Sequence, residues 1–276
     1  MLRALVRLAQ FGLIAGFALA LLTLPQVQKG LQTVWQQISP PAPGPLTVTR
    51  FQTPAAGLPQ IRYDYEPKAE GLQRYEVIFD GKPRSFWMLS PQPAPAEGAL
   101  PGAVLLLHGS NRSGASMLDM WRSIGAKGVV LIAPDSLDPM VWRMETDGAP
   151  FQQAVLAQAV TITPFDRDKV SLYGHSAGAN GALELGQCTD LPVRAIAIHA
   201  GAFAGCKGWS TSSNRRYLIQ IGDQDESFPL GVVEATAKML ADSGAAVDLA
   251  VIEGHNHWFY QIGPNLAQQA WQFFEE

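Results

Sequence analysis

A succession of short, wholly apolar runs separated by helical patterns constrains this chain more than any other feature. The runs are AVLLLHG (103–109), VVLIAPD (129–135), KVSLYG (169–174), RAIAIHAG (194–201), YLIQIGD (217–223) and VDLAVIEG (247–254). Each is too short for a helix and ends in a loop residue, as strands buried on both faces do. Between and after them lie SMLDMWRSIGAKG, FQQAVLAQAVTI, AGANGALELGQC, LGVVEATAKMLADSG and NLAQQAWQFF, which carry helical patterns. Strict alternation of this kind predicts an α/β fold: a mostly parallel central sheet with helices on both faces. YEVIF and RSFWML around DGKP add a β-hairpin ahead of it. In such sheets reactive groups sit in the loops beyond the carboxyl ends of the strands.

Upstream of this pattern the chain reads differently. Arg3 and Arg7 precede an apolar stretch without charge from Phe11 to Leu24. That order fits residues 1–30 as either a secretory signal peptide or a retained N-terminal membrane anchor, with the body exported in both cases. The competing reading, a buried helix of a cytosolic protein, expects an apolar stripe, whereas this segment is apolar all round. Residues 31–62 are rich in proline and glycine (SPPAPGPL, PAAGLP) and read as a tether or extended edge segment, leaving residues 63–276 as one folded domain. Cys188 and Cys206 each lie just outside a predicted element, and in an oxidising envelope compartment a disulfide joins them. The alternative is two independent small apolar side chains. A net charge of −4 without a basic run gives nothing that favours nucleic acid as a partner. No metal cluster, phosphate loop or dinucleotide motif occurs, so no metal and no cofactor is implied.

The stretch SLYGHSAGAN places Ser176 between Gly174 and Gly178, at the junction of a predicted strand and a predicted helix. A turn that sharp brings backbone segments together where side chains at 174 and 178 would collide, and it lifts the Ser176 hydroxyl clear of the sheet. The N–H of Ala177 then stands at the helix start, available to a developing oxyanion.

Together with LLLHGSNRSG, VLIAPDS, FDRDKVSLYGHSAGA, IGDQDESFP and GHNHWFY, in that order, this stretch resembles the α/β-hydrolase superfamily. Within it the chain is similar to exported esterases of the polyhydroxybutyrate depolymerase, feruloyl esterase and dienelactone hydrolase group. The resemblance covers residues 75–276 and implies a Ser–acid–His triad acting on a small-molecule ester. Ser176 is the implied nucleophile. Asp225 matches the family's acid better than Asp223, which has a turn-capping alternative. His257, followed by Trp258, matches the base better than His255. Ser110, after the HG pair, is the implied second oxyanion donor, with Asn111 its alternative. His108 is read as tying that loop down. Trp142, His199 and Trp258 are candidate pocket residues; the alternative for Trp142 is core packing, and for His199 a hydrogen-bonded core histidine. A peptidase or acyltransferase would use the same triad, and a non-catalytic envelope binding protein would have lost one of its members.

Overall fold

The computed structural model describes residues 42–53, 65–68, 70–94, 96, 98–203, 205–206 and 215–276, which belong to one compact unit, Ala42–Glu276. The 1–30 segment, and with it the expected signal or anchor, lies outside the described residues. Among the described residues no helix is long and apolar enough to cross a membrane.

Nine strands form one sheet: β1 (Leu46–Phe51), β2 (Gln73–Phe79), β3 (Lys82–Leu89), β4 (Ala103–Leu107), β5 (Val130–Pro134), β6 (Val170–His175), β7 (Ala195–His199), β8 (Arg216–Gly222) and β9 (Ala246–Ile252). Their spatial order is β1-β9-β8-β7-β6-β4-β5-β3-β2. Only the β2/β3 and β3/β5 pairs are antiparallel. The β2–β3 hairpin turns at Asp80 and Gly81, both at positive φ, as a two-residue hairpin loop demands. Every residue of β4, β5, β6 and β7 is buried, which is why those segments read as continuous apolar runs rather than as alternations.

The helices are α1 (Gly114–Gly125), α2 (Met144–Asp147), α3 (Ala149–Ile162), α4 (Ala177–Cys188), α5 (Leu230–Asp242) and α6 (Gly263–Glu275). They cover both faces of the sheet. One core layer joins Phe151, Val155, Leu183, Leu185 and Leu240 of α3, α4 and α5 to the sheet. The other joins Trp121 of α1 and Phe274 of α6 to the opposite face, where Trp121 meets Tyr173 edge-on at 4.9 Å. This is the α/β-hydrolase fold.

One expected boundary needs correction. Residues 46–51 lie inside the segment read as a tether or extended edge segment and take the second form within the folded domain: they are β1, paired in parallel with β9 from Leu46–Val247 to Phe51–Ile252. The backbone explains it: LTVTRF holds neither proline nor glycine and is rich in β-branched residues, which suit a strand. Its side chains are exposed from Leu46 to Arg50, so the alternation that marks a half-buried strand is missing. Cys188 and Cys206 are joined in a disulfide that ties the end of α4 to the segment after β7.

Candidate active site

The carboxyl ends of β4, β6, β8 and β9 bring the reactive side chains together. Between β6 and α4, Ser176 adopts φ 55 and ψ −118, a backbone region that residues with side chains rarely occupy. Its N–H donates to the His199 carbonyl at 3.0 Å, which hangs the turn from neighbouring β7. The two glycines of the motif make the turn possible, but not against each other's side chains. A Cβ at Gly174 would lie 2.1 Å from the Gly178 carbonyl oxygen, and one at Gly178 would lie 2.2 Å from the Leu107 carbonyl oxygen. The turn is therefore clamped against both its own helix and the end of β4.

The Ser176 Oγ lies 2.9 Å from His257 Nε2, and His257 Nδ1 lies 2.8 Å from Asp225 Oδ2. A neutral His257 that donates from Nδ1 to the carboxylate leaves Nε2 as an acceptor for the serine hydroxyl. Asp225 is buried, and its other oxygen accepts the backbone N–H groups of Ser227 and Phe228, both at 2.8 Å. These bonds hold the carboxylate in one orientation. Phe228 in turn stacks on the His257 ring at 5.6 Å. Asp223 points elsewhere: it accepts the Gly254 N–H at 2.8 Å, as a turn cap does. His255 also faces away, with its ring 5.3 Å from His199.

The loop after β4 is fixed by its neighbours. His108 Nε2 accepts the Ser136 N–H at 3.1 Å, so its Nδ1–H donates to the Gly109 carbonyl at 2.8 Å. The Asn111 N–H is committed to the Pro139 carbonyl at 2.8 Å, and the Ser110 hydroxyl donates to the Met140 carbonyl at 2.7 Å. Of the two alternatives, Ser110 thus keeps an uncommitted backbone N–H among the described residues. The Ala177 N–H, first in α4, lacks an intrahelical acceptor by its position.

Two candidate pocket residues take their core-packing alternative. Trp142 is 5% exposed and packs on Gly181 of α4, while its indole N–H donates to the His108 carbonyl at 2.9 Å. It braces the loop from behind. His199 is wholly buried, its Nδ1 3.0 Å from His175 Nδ1. Trp258 is partly exposed beside His257 and approaches Tyr260 at 5.3 Å.

Sequence reasoning passed over His175, Phe228 and Arg112. His175 links His257 (5.4 Å between rings) to His199 (5.1 Å), and His199 meets His255, so four imidazoles form one row beneath the serine. The signal was faint: His175 lies inside the quoted motif, but its partner is set by strand register, His175 opposite His199.

Burial, before any neighbouring charge, holds His175 and His199 well below the ordinary imidazole pKa and pushes His255 down to about 4. The unfolded chain binds protons on these rings near pH 6.5, whereas the folded chain keeps all three neutral to lower pH, His255 down to about 4. Stability is therefore complete above pH 6.5 and falls as the pH drops, by up to about 1.4 kcal/mol per pH unit for each ring. Urea unfolding at pH 7.5 and 5.5 should give a lower midpoint at 5.5. An equal or higher midpoint would contradict neutral His175, His199 and His255.

Solved structures share this fold at low sequence identity. A protein assigned as a dienelactone hydrolase from Klebsiella pneumoniae matches with TM-score 0.59 and 16% identity over 74% of this chain and 99% of its own. A thermophilic esterase from Thermogutta terrifontis with propionate bound matches with TM-score 0.61 and 15% identity, over 78% and 97%. The acylaminoacyl peptidase of Pyrococcus horikoshii matches with TM-score 0.57 and 14% identity over 74% of this chain; the match spans 40% of the peptidase. No family model and no curated protein matches the chain.

Proposed function

We propose that the protein is a serine hydrolase, acting as a carboxylic ester hydrolase through an acyl-serine intermediate in the cell envelope. The observation that carries this reading is the continuous hydrogen-bonded row Ser176–His257–Asp225, with the serine at a strained strand-to-helix turn. In the reaction, His257 Nε2 takes the Ser176 proton as Oγ bonds to the ester carbonyl carbon. The carbonyl oxygen becomes an oxyanion that accepts N–H groups from Ser110 and Ala177. As the carbon–alkoxy bond breaks, the imidazolium returns its proton to the departing alcohol. Water, deprotonated by His257, then attacks the acyl group and frees Ser176 together with the carboxylic acid. Asp225 fixes the imidazole tautomer and offsets its transient charge. The dienelactone hydrolase and esterase neighbours support ester chemistry, and the disulfide supports an oxidising compartment. The apolar N-terminal segment would provide the protein's contact with a membrane.

A fluorophosphonate probe tests the nucleophile. The wild type should acquire one adduct, which peptide mass spectrometry locates on Ser176, and Ser176→Ala should acquire none. A panel of p-nitrophenyl esters beside aminoacyl p-nitroanilides then separates esterase from peptidase by relative kcat/KM. An unlabelled wild type that hydrolyses neither class would leave a binding protein on a hydrolase fold.

A further inference from the structure

Arg112 lies two residues beyond Ser110, in a turn where its own N–H donates to the Gly109 carbonyl at 3.2 Å. Its guanidinium stands over three aromatic rings: Tyr260 at 4.9 Å, Trp258 at 5.4 Å and Tyr65 at 5.7 Å. Nη1 also donates to the Tyr65 carbonyl at 2.9 Å. Among the described residues no carboxylate reaches ion-pair distance of it. Asp119, which accepts the Tyr65 hydroxyl, pairs with Arg122.

Aromatic faces attract a cation without cancelling its charge. A guanidinium has five N–H donors in a planar fork, and a single side-chain hydrogen bond leaves most of them for another acceptor. The rings also hold the fork still, so little side-chain freedom remains to be lost on binding.

The position matters as much as the chemistry. Trp258 directly follows His257, and the Tyr260 ring meets His175 edge-on at 6.0 Å. The cation therefore stands between the loop carrying Ser110 and the loop carrying His257. Its field reaches under the serine, where it helps to depress the His175 pKa.

We propose that Arg112 forms a carboxylate subsite and that the preferred esters carry a carboxylate group in addition to the bond that is broken. This rests on the serine hydrolase reading above. Planar carboxylates match the guanidinium fork with two parallel hydrogen bonds, a geometry that a neutral ester cannot use.

Two matched substrate pairs test the proposal. The mono-p-nitrophenyl ester of glutarate against p-nitrophenyl butyrate places the charge on the acyl side. Acetylated 4-hydroxybenzoate against phenyl acetate places it on the alcohol side. For each pair the charged-to-neutral ratio of kcat/KM is measured, which cancels any general loss of activity. In at least one pair Arg112→Gln should lower that ratio about ten- to hundredfold, chiefly through KM of the charged ester. Arg112→Lys, which keeps the charge but not the fork, should retain part of it, and 0.5 M salt should compress the wild-type ratio. Equal ratios in wild type and Arg112→Gln for both pairs would overturn the proposal. If the wild type cleaves no ester, the hydrolase reading fails separately. Calorimetric titration of glutarate then reads the subsite alone: binding lost in Arg112→Gln upholds it, and equal or absent binding overturns it.

Discussion

His257→Ala is expected to lower kcat for p-nitrophenyl acetate by at least about a thousandfold, and His255→Ala by no more than about tenfold. The two rings lie two residues apart on one loop, and only one of them reaches the serine. Alanine at 257 removes the acceptor at 2.9 Å and leaves Ser176 with a hydroxyl that is mostly protonated at neutral pH. It also strips Asp225 of the N–H that its Oδ2 accepts. Alanine at 255 takes away a buried ring whose Nε2 has no partner among the described residues, so its cost falls on packing beside His199. Steady-state kinetics at pH 8 decides between them. Equal losses, or the larger loss at 255, would move the base to the other ring.

Gly178→Ala is expected to destabilise the fold by about 3 kcal/mol or more, or to prevent folding. The added methyl would sit 2.2 Å from the Leu107 oxygen, 2.5 Å from the Leu107 carbon and 2.7 Å from the His108 oxygen. All three are backbone atoms, so no rotamer change relieves the overlap. Relief requires α4 to move away from β4, and that shift separates the Ser176 turn from the Ser110 loop. Gly231→Ala is the matched control. It lies in the first turn of α5 with open space around it, and alanine there should be neutral or stabilising by up to about 1 kcal/mol. Urea unfolding of both variants provides the comparison. A Gly178→Ala protein with the wild-type midpoint would refute the clamped turn.

The sheet was legible in the sequence because its central strands are buried on both faces, where composition alone gives the element away. Helix ends were legible less well: α1 starts at Gly114, two residues before the periodic pattern begins. Edge strand β1 was legible only as a tether or extended edge segment, because exposure on both faces erases the alternation that reveals a strand. At the site, Ser176 follows from local turn chemistry. The selection of Asp225 over Asp223 and of His257 over His255 drew instead on resemblance, since each pair offers the same chemistry within a few residues. The His175–His199 contact and the bracing of the loop by Trp142 depend on strand register and on helix placement across the sheet. Neither leaves a trace in a linear pattern.

Ser176 hangs from the middle of a nine-stranded sheet, whereas Met140 and Phe228 belong to connecting segments outside it. The reactive hydroxyl thus inherits the rigidity of the most deeply enclosed strands, while the surfaces that would greet a substrate do not. Under the proposed hydrolase reading, such a division lets selection rewrite what the protein accepts, one surface segment at a time, without disturbing the machinery beneath.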